Sequence, residues 1–233
     1  MEAHSEVERL QSVYREYGER GWGQTKWAPA NRGNQAMQRE RARMLEQLLR
    51  DTGCFPLRQR RILDVGCGGG ELLAGFEDWG AKPENLFGVD LLAERICRAK
   101  ANHPRFNFQR ANAESLPFED EWFDLVTVFT VFSSILDPQM TRNVSREISR
   151  VLRPGGAVVW YDFRMNNPFN PHVRGIARGE IRRLFSGHDA RLRTITLLPP
   201  LARRLGVLTP LLYPCLASLP FLRSHYLGVL GKP

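Results

Sequence analysis

The stretch LDVGCGGGELLAGF, residues 63–76, holds five glycines in fourteen positions. Four of them fall within residues 66–70, between an apolar run and a segment with helical spacing. Glycine costs conformational entropy in such a turn, so its use there indicates unusual backbone angles or the close approach of something bound. The stretch therefore predicts a strand, a turn of bare backbone and then a helix.

Strand-like runs and helical stretches alternate along the rest of the chain. Helices are expected at 91–101 and 144–152, and strands at 61–65, 86–90, 106–109, 123–128, 157–161, 193–198 and 224–230. Strands joined by helices of this length need crossover connections, which produce a mostly parallel sheet. We expect an α/β, Rossmann-like fold: a seven-stranded, mostly parallel sheet with an antiparallel last strand, helices on both faces and an N-terminal helical cap.

Length and composition favour one principal domain. The chain has 233 residues, of which 42% are hydrophobic, enough for a substantial core. We expect a helical cap or lid over 1–55 and the sheet domain over 56–233, with an apolar insertion near 199–222.

The first twenty residues lack the pattern of a secretory leader. Four scattered cysteines indicate neither a metal site nor disulfides, and they are typical of a cytoplasmic protein.

Positive charge is concentrated in the last third of the chain. Residues 164–233 contain eleven Lys or Arg and two acidic residues, a net charge of +9, whereas the whole chain has +8. Such an imbalance attracts phosphates, carboxylates or an anionic membrane surface. The alternative is a solvated arginine face that only aids solubility.

An uncharged segment of eighteen residues lies between Arg204 and Arg223. It is long enough to cross a membrane, but Pro210, Pro214 and Pro220 argue against a spanning helix. We interpret it as a buried or interfacial insertion. With its flanking arginines it could also make peripheral contact with anionic lipid at the inner face of a membrane, or accept a lipid-linked substrate.

Acidic side chains flank the glycine turn at a spacing suited to a nucleoside. Asp64 precedes the turn, and Asp90 closes the next strand. Glu71 stands where a dinucleotide fingerprint has its third glycine. Ligands of open α/β sheets bind beyond the carboxyl ends of the strands, where this turn lies, so Asp90 could hold ribose hydroxyls. In isolation, Asp90 could instead be the N-cap of the next helix.

These motifs, with three later segments, resemble the class I S-adenosylmethionine-dependent methyltransferases, particularly the small-molecule group related to quinone-biosynthesis methyltransferases. The later segments are ANAESLPF at 111–118, FDLVTVFTV at 123–131 and LRPGG at 152–156. The resemblance implies S-adenosylmethionine as the cofactor. It implies binding by Asp64, Gly66, Cys67, Gly68, Gly70, Asp90, Leu91, Asn112, Ala113, Glu114, Phe129 and Thr130. Asn112 departs from the family's aspartate, which accepts from the adenine amino group, but an amide oxygen can still accept.

Aromatic residues lie upstream of the sheet. In the resembled family an N-terminal extension covers the cofactor and excludes water, which favours in-line methyl transfer. Tyr14, Tyr17 and Trp27 are the lid candidates, and their rings could also face the sulfonium. Each of them could instead be ordinary packing of a helix on the sheet.

A loop after the fifth strand, 161–174, is rich in hydrogen-bond donors and lies beside the expected methyl position. Loops at this edge determine specificity, so Arg164, Asn167 and Arg174 are candidates for substrate binding. If the acceptor is a hydroxyl, His172 is the first choice as general base and Asp162 the second. Well-aligned methyl transfer also proceeds without a strong base, and His172 could be an ordinary surface histidine.

Three functions are compatible with the sequence. The first is methyl transfer, favoured on oxygen, to a small-molecule or lipid-linked acceptor that could be acidic. The second is an RNA methyltransferase, which the basic last third permits. Strand four, however, lacks the D/N-P-P-Y-like turn of amino-directed nucleic-acid enzymes, and the basic region lacks interleaved aromatics for stacking bases. The third is a non-catalytic protein that keeps the fold for binding. No metal and no obligate protein partner are expected.

Overall fold

The computed structural model describes residues 5–21 and 26–233. Its strands are β1 (Ile62–Val65), β2 (Leu86–Asp90), β3 (Asn107–Arg110), β4 (Phe123–Phe129), β5 (Leu152–Phe163), β6 (Asp189–Leu197) and β7 (Arg223–Gly231). Its helices are α1 (Glu6–Glu19), α2 (Arg32–Asp51), α3 (Glu71–Asp78), α4 (Ala93–Asn102), α5 (Pro138–Val151), α6 (Arg178–Leu184), α7 (Pro199–Arg204) and α8 (Thr209–Ala217). Single 3-10 turns occur at Pro83–Asn85, Phe132–Ser134, Gly206–Leu208 and Pro220–Leu222.

The strands form one seven-stranded sheet in the order β3-β2-β1-β4-β5-β7-β6. β1 to β5 pair in parallel, and β7 is antiparallel to both β5 and β6. The predicted Rossmann-like fold with an antiparallel last strand is confirmed. Strand order reverses between β1 and β4, which opens a crevice at the carboxyl ends of the central strands.

Helices cover both faces of the sheet. Apolar side chains of α2, α3 and α4 form one core with the sheet, and those of α1, α5 and α6 form the other. Leu45, Leu48 and Leu49 of α2 are buried in the first core. The helix α2, which falls within the cap predicted for 1–55, therefore packs as part of the domain core.

The predicted insertion is a helical C-terminal lobe, residues 199–222. Buried side chains of α2, β6, α7 and α8 form a third, smaller core: Met37, Leu197, Ala202, Tyr213 and Ala217. The Glu40 carboxylate of α2 accepts from the Tyr213 hydroxyl at 2.7 Å and from the Thr196 backbone N–H at 3.1 Å. The Tyr213 bond attaches the lobe to α2, and the Thr196 bond attaches β6 to the same carboxylate. Across residues 5–21 and 26–233, none of the helices combines the length and the apolar character that crossing a bilayer requires.

Gly33 lets α2 and the C-terminal lobe approach closely. A β-carbon on Gly33 would collide with the backbone carbonyl of Ala202. Gly33→Ala is therefore expected to lower the free energy of unfolding by about 1–3 kcal/mol, measured by urea denaturation, because backbone cannot yield as a side chain does. Gly75→Ala is the control, since nothing lies within 4 Å of a β-carbon there, and it should be neutral or stabilise by up to about 1 kcal/mol. Equal effects of the two substitutions would contradict the prediction.

Candidate active site

The glycine turn presents bare backbone to the crevice. The backbone N–H groups of Gly66 and Cys67 both donate to the Val89 carbonyl, at 2.8 and 3.0 Å, which ties the turn to β2. Gly68 has a φ of +56°, which an L-residue with a side chain rarely adopts. A β-carbon on Gly68 would meet no atom within 4 Å. A ligand could therefore lie directly against the backbone at this point.

Two predicted cofactor residues in the same turn serve packing. A β-carbon on Gly70 would lie 2.7 Å from the ring of Phe108 and 2.9 Å from His103. Cys67 is buried beside Gly88, and burial raises the pKa of its thiol, so the thiol is protonated. The side-chain positions of Gly70 and Cys67 thus face the neighbouring strands.

Asp90 lies at the end of β2, against the glycine turn. Its Oδ2 accepts from the Gly68 N–H at 3.1 Å, its Oδ1 accepts from the Leu92 N–H at 3.0 Å, and its side chain is 4% exposed. A guanidinium nitrogen of Arg95 lies 3.5 Å from Oδ2. The N-cap of α4 is Leu92, so Asp90 does not serve as that N-cap. Each carboxylate oxygen can accept more than one hydrogen bond, which leaves Asp90 able to accept from a ligand hydroxyl.

A cavity opens beside Asp90 at the carboxyl ends of β1, β2 and β4. Its lining includes seven residues predicted to bind the cofactor: Gly66, Asp90, Leu91, Asn112, Ala113, Phe129 and Thr130. It also includes Leu10, Arg95, Ser134 and Met140, which sequence reasoning missed. For one of these four, Arg95, the sequence holds a signal: it follows Asp90 by five residues and lies in the first turn of α4, which starts next to the cavity.

Asn112 and Glu114 form a local hydrogen-bonded unit at the cavity. The Asn112 Oδ1 accepts from the Glu114 N–H at 3.1 Å, and its Nδ2 donates to a Glu114 carboxylate oxygen at 3.3 Å. The other Glu114 oxygen accepts from Asn143 Nδ2 of α5 at 2.8 Å. Glu114 therefore fixes the orientation of the Asn112 side chain. The amide oxygen of Asn112 can still accept a second hydrogen bond.

Asp64 lies one layer below the cavity. Its Oδ1 accepts from the Thr127 hydroxyl at 2.6 Å, and its burial raises its pKa to about 7. Asp90 and Glu71 raise the pKa further because they are negative, whereas the Thr127 bond and Arg41 lower it. Asp64 thus connects β1 to β4 beneath the glycine turn.

The three lid candidates occupy different places. Tyr14 lines the cavity, bonds its hydroxyl to Ser134 Oγ at 2.8 Å and carries the Arg95 guanidinium over its ring at 4.2 Å. Tyr17 bonds to the Asn170 side chain instead. Trp27 is 47% exposed and stacks with a guanidinium of the C-terminal lobe. Of the three, Tyr14 is the one that lines the cavity beside Asp90.

Neither predicted base faces the cavity. Asp162 has no exposed surface, and its carboxylate accepts from the N–H groups of Ser133 at 3.0 Å and Phe163 at 2.8 Å. Asp162 therefore fixes the turn after β4, and this structural role replaces the role of a base that the sequence suggested. His172 lies in the loop after β5, outside the lining of the cavity, and its ring forms a T-shaped pair with Tyr17 at 6.5 Å between centroids.

The predicted substrate-binding residues of that loop are engaged in its own structure. Arg174 pairs with Glu180 at 2.8 Å and donates to the Ile135 carbonyl at 3.0 Å. The Asn167 Oδ1 accepts from the Phe169 N–H at 3.0 Å. Arg164 donates to a carbonyl of the C-terminal lobe at 2.8 Å. These contacts hold the loop against α6 and the lobe.

A second cavity lies at the opposite, amino-terminal edge of the strands, near Cys54, Gly156 and Lys232. The carboxylate at its wall, Asp124, is already paired with Arg60 and an arginine of β5 and accepts from a backbone N–H. Ligands of sheets with this topology bind at the other edge. The cavity beside Asp90 is therefore the candidate site.

Comparison with known proteins assigns the domain. Residues 63–160 match the methyltransferase domain family, a span that begins in β1 and ends in β5. The chain carries a class I S-adenosylmethionine-dependent methyltransferase domain. A crystal structure of a SAM-dependent methyltransferase from Methanosarcina mazei shares the fold, with a TM-score of 0.57 and 19% identity over 75% of this chain and 93% of that one.

Two curated relatives, both methyltransferases by name, match about half of the chain. One is phthiotriol/phenolphthiotriol dimycocerosates methyltransferase 1 of Mycobacterium ulcerans, 35% identical over 130 residues, which are 55% of this chain and 46% of the relative. The other is a fatty-acid O-methyltransferase of Mycolicibacterium smegmatis, 34% identical over 127 residues, 54% and 45% of the two chains. The match thus spans less than half the length of either relative.

The crevice fits the cofactor of this methyltransferase class, S-adenosylmethionine. The crevice supplies three things that an adenosine needs. The bare backbone at Gly68 allows a close approach, and the carboxylate of Asp90 can accept from the hydroxyls. The cavity wall is apolar with one amide, and it includes Leu91, Asn112 and Ala113. Arg95 lies between Asp90, 3.5 Å away, and the ring of Tyr14, whose centroid is 4.2 Å from the guanidinium carbon. A ribose at Asp90 would share the carboxylate with the Arg95 guanidinium.

Proposed function

We propose that the chain transfers a methyl group from S-adenosylmethionine to an oxygen of a small-molecule or lipid-linked acceptor. The observation that carries the proposal is the crevice between the glycine turn and Asp90 in a domain of methyltransferase type. The names of the two relatives, both methyltransferases of lipid substrates, support the acceptor class.

The residues of the crevice have separate roles in this proposal. Asp90 accepts from the ribose hydroxyls, Leu91 and Ala113 contact the adenine, and Asn112 accepts from its amino group. The backbone at Gly66 and Gly68 lies against the amino-acid portion. Bound S-adenosylmethionine supplies an electrophilic methyl group on a sulfonium, and the protein's part is to orient it, exclude water and place the acceptor in line.

The test is a methyl-transfer screen with labelled S-adenosylmethionine against lipid extract, small-molecule extract and RNA in parallel. Label in the lipid or small-molecule arm supports the proposal. Label confined to RNA would overturn it in favour of an RNA methyltransferase. Cofactor binding without transfer in any arm would favour the non-catalytic alternative.

We also propose that the C-terminal lobe rests on an anionic bilayer. Its apolar side chains are unusually exposed, with Val207 at 74%, Leu211 at 69% and Phe221 at 67%. Arg204 is exposed on α7, and Arg164 is bonded to the lobe beside Phe221. Apolar side chains ringed by cations match the interface of a bilayer with anionic headgroups, and an enzyme located there would meet lipid acceptors directly.

Vesicle sedimentation tests this contact. The chain should sediment with phosphatidylcholine vesicles containing phosphatidylglycerol, and the double variant Leu211→Asp, Phe221→Asp should lose most of this binding. Arg98→Asp changes the net charge by the same amount but lies on α4, far along the sheet, and should bind nearly normally. A dimer in lipid-free solution that the double variant dissociates, without vesicle binding, would assign the surface to a second copy instead.

A further inference from the structure

Arg41, a residue of α2, lies beside the crevice of the candidate site. Its guanidinium lies over the rings of Phe129, at 5.6 Å, and Tyr161, at 5.2 Å from the centroids. Phe129 ends β4 and lines the cavity of the cofactor site, and Tyr161 is its partner on β5. Arg41 therefore lies at the carboxyl rim, on the side of the crevice away from Asp90.

The charge of Arg41 has no close counterion in the described structure. Within residues 5–21 and 26–233, Arg41 forms no ion pair with a carboxylate. The neighbouring Glu40 carboxylate is bonded to Tyr213 and Thr196, and Asp64 lies below the rim, bonded to a threonine. The half-buried guanidinium lies within cation–π distance of two aromatic rings and also donates to the Tyr161 hydroxyl. A guanidinium has five N–H donors, so others remain to bind a planar anion.

Neither the two predicted bases nor His225, a histidine of β7 close to Arg41, lines the cavity of the candidate site. Asp162 is fully buried and accepts from two backbone N–H groups, and the His172 ring lies 6.5 Å from that of Tyr17, outside the lining of the cavity. His225 of β7 is buried and bonded to Ser224 Oγ at 2.7 Å, and burial with the nearby Arg41 charge lowers its pKa to about 3. A rim with a cation and without an available base suits an acceptor that is already anionic.

We propose that the acceptor oxygen belongs to a carboxylate on an apolar tail, that Arg41 holds this carboxylate, and that the product is a methyl ester. The inference rests on the proposed function and specifies its substrate class. A carboxylate is ionised at neutral pH. One of its oxygens forms a bond to the methyl carbon while the carbon–sulfur bond breaks and its electron pair stays on sulfur. The negative carboxylate and the positive sulfonium become a neutral ester and a neutral thioether, so no proton has to be removed.

Decanoate and decanol, which share an apolar tail, test the acceptor class. The wild-type chain with labelled S-adenosylmethionine should methylate decanoate, giving an alkali-labile product, and leave decanol essentially unreacted. Calorimetry in the presence of S-adenosylhomocysteine should show decanoate binding without turnover. Arg41→Gln should weaken that binding at least tenfold, Arg41→Lys less, and Arg43→Gln, an exposed neighbour on α2, should leave it unchanged.

The outcomes separate this inference from the function on which it rests. Methylation of decanol alone, or an Arg41→Gln variant that binds decanoate as well as wild type, overturns the carboxylate assignment and leaves O-methyl transfer intact. Failure to bind S-adenosylmethionine overturns the proposed function itself. Normal cofactor affinity of Arg41→Gln excludes misfolding, and binding of cofactor with neither decyl compound accepted counts against the inference.

Discussion

Asp90→Ala is expected to weaken S-adenosylmethionine binding by roughly one to two orders of magnitude, measured by calorimetry. The carboxylate is nearly buried at the crevice, and two charge-assisted hydrogen bonds from ribose hydroxyls would be lost. Such bonds contribute about 1.5–3 kcal/mol each, and about 1.4 kcal/mol corresponds to tenfold in affinity, so the gross loss is roughly two to four orders of magnitude. Part of the loss is offset because Arg95, which lies 3.5 Å from Asp90, no longer competes with the ribose.

Two matched variants isolate this effect. Asp90→Asn keeps one oxygen to accept from the backbone N–H of Gly68, 3.1 Å away in the wild type, and should give an intermediate affinity. Asp78→Ala removes a carboxylate from the exposed end of α3 and should leave affinity unchanged. Equal affinity of wild type and Asp90→Ala, with the fold intact by circular dichroism, would remove Asp90 from the proposed site.

The sequence predicted the sheet because its strands carry strong local signals. Apolar runs such as 62–65 and 123–129 are bounded by turns, and their burial on both faces follows from parallel crossovers. The residues at which strands begin and end were harder to predict. β5 begins at Leu152, five residues before the predicted start at 157. Leu152 already pairs with Phe123 of β4, and the register then shifts before Leu125 pairs with Ala157. No local pattern indicates such a long-range pairing.

At the site, the backbone motifs were more predictable than the side chains. The spacing of residues 66–70 and Asp90 is fixed by the strand-turn-helix unit, so neighbours along the chain become neighbours in space. Asp162 shows the opposite case, because its role depends on the N–H of Ser133, which is distant in sequence. Arg95 likewise reaches the crevice, and Arg41 reaches Phe129 at its wall, from helices whose orientation depends on packing of the whole domain.

Asp64 should make the protein less stable as pH rises through neutrality. Burial raises its pKa to about 7 in the folded state, whereas an unfolded aspartate has a pKa of about 3.9. Between these values the folded chain binds a proton that the unfolded chain has lost. The free energy of unfolding therefore falls as the pH rises from about 4 to about 7 and is then constant, a loss of about 4 kcal/mol for three pKa units.

Asp64→Asn is expected to remove this dependence, because the amide stays neutral at every pH and its oxygen can still accept from the Thr127 hydroxyl. Urea unfolding of the variant and the wild type across this pH range gives the difference in their free energies of unfolding. The contributions of other acidic groups cancel in this difference. Asp162, whose pKa burial raises to about 6, has the same sign and remains in both proteins. The variant should gain stability relative to wild type as pH rises, whereas Asp78→Asn should follow the wild-type curve. Parallel curves for Asp64→Asn and wild type would mean that Asp64 is ionised in the folded protein, with Arg41 outweighing its burial.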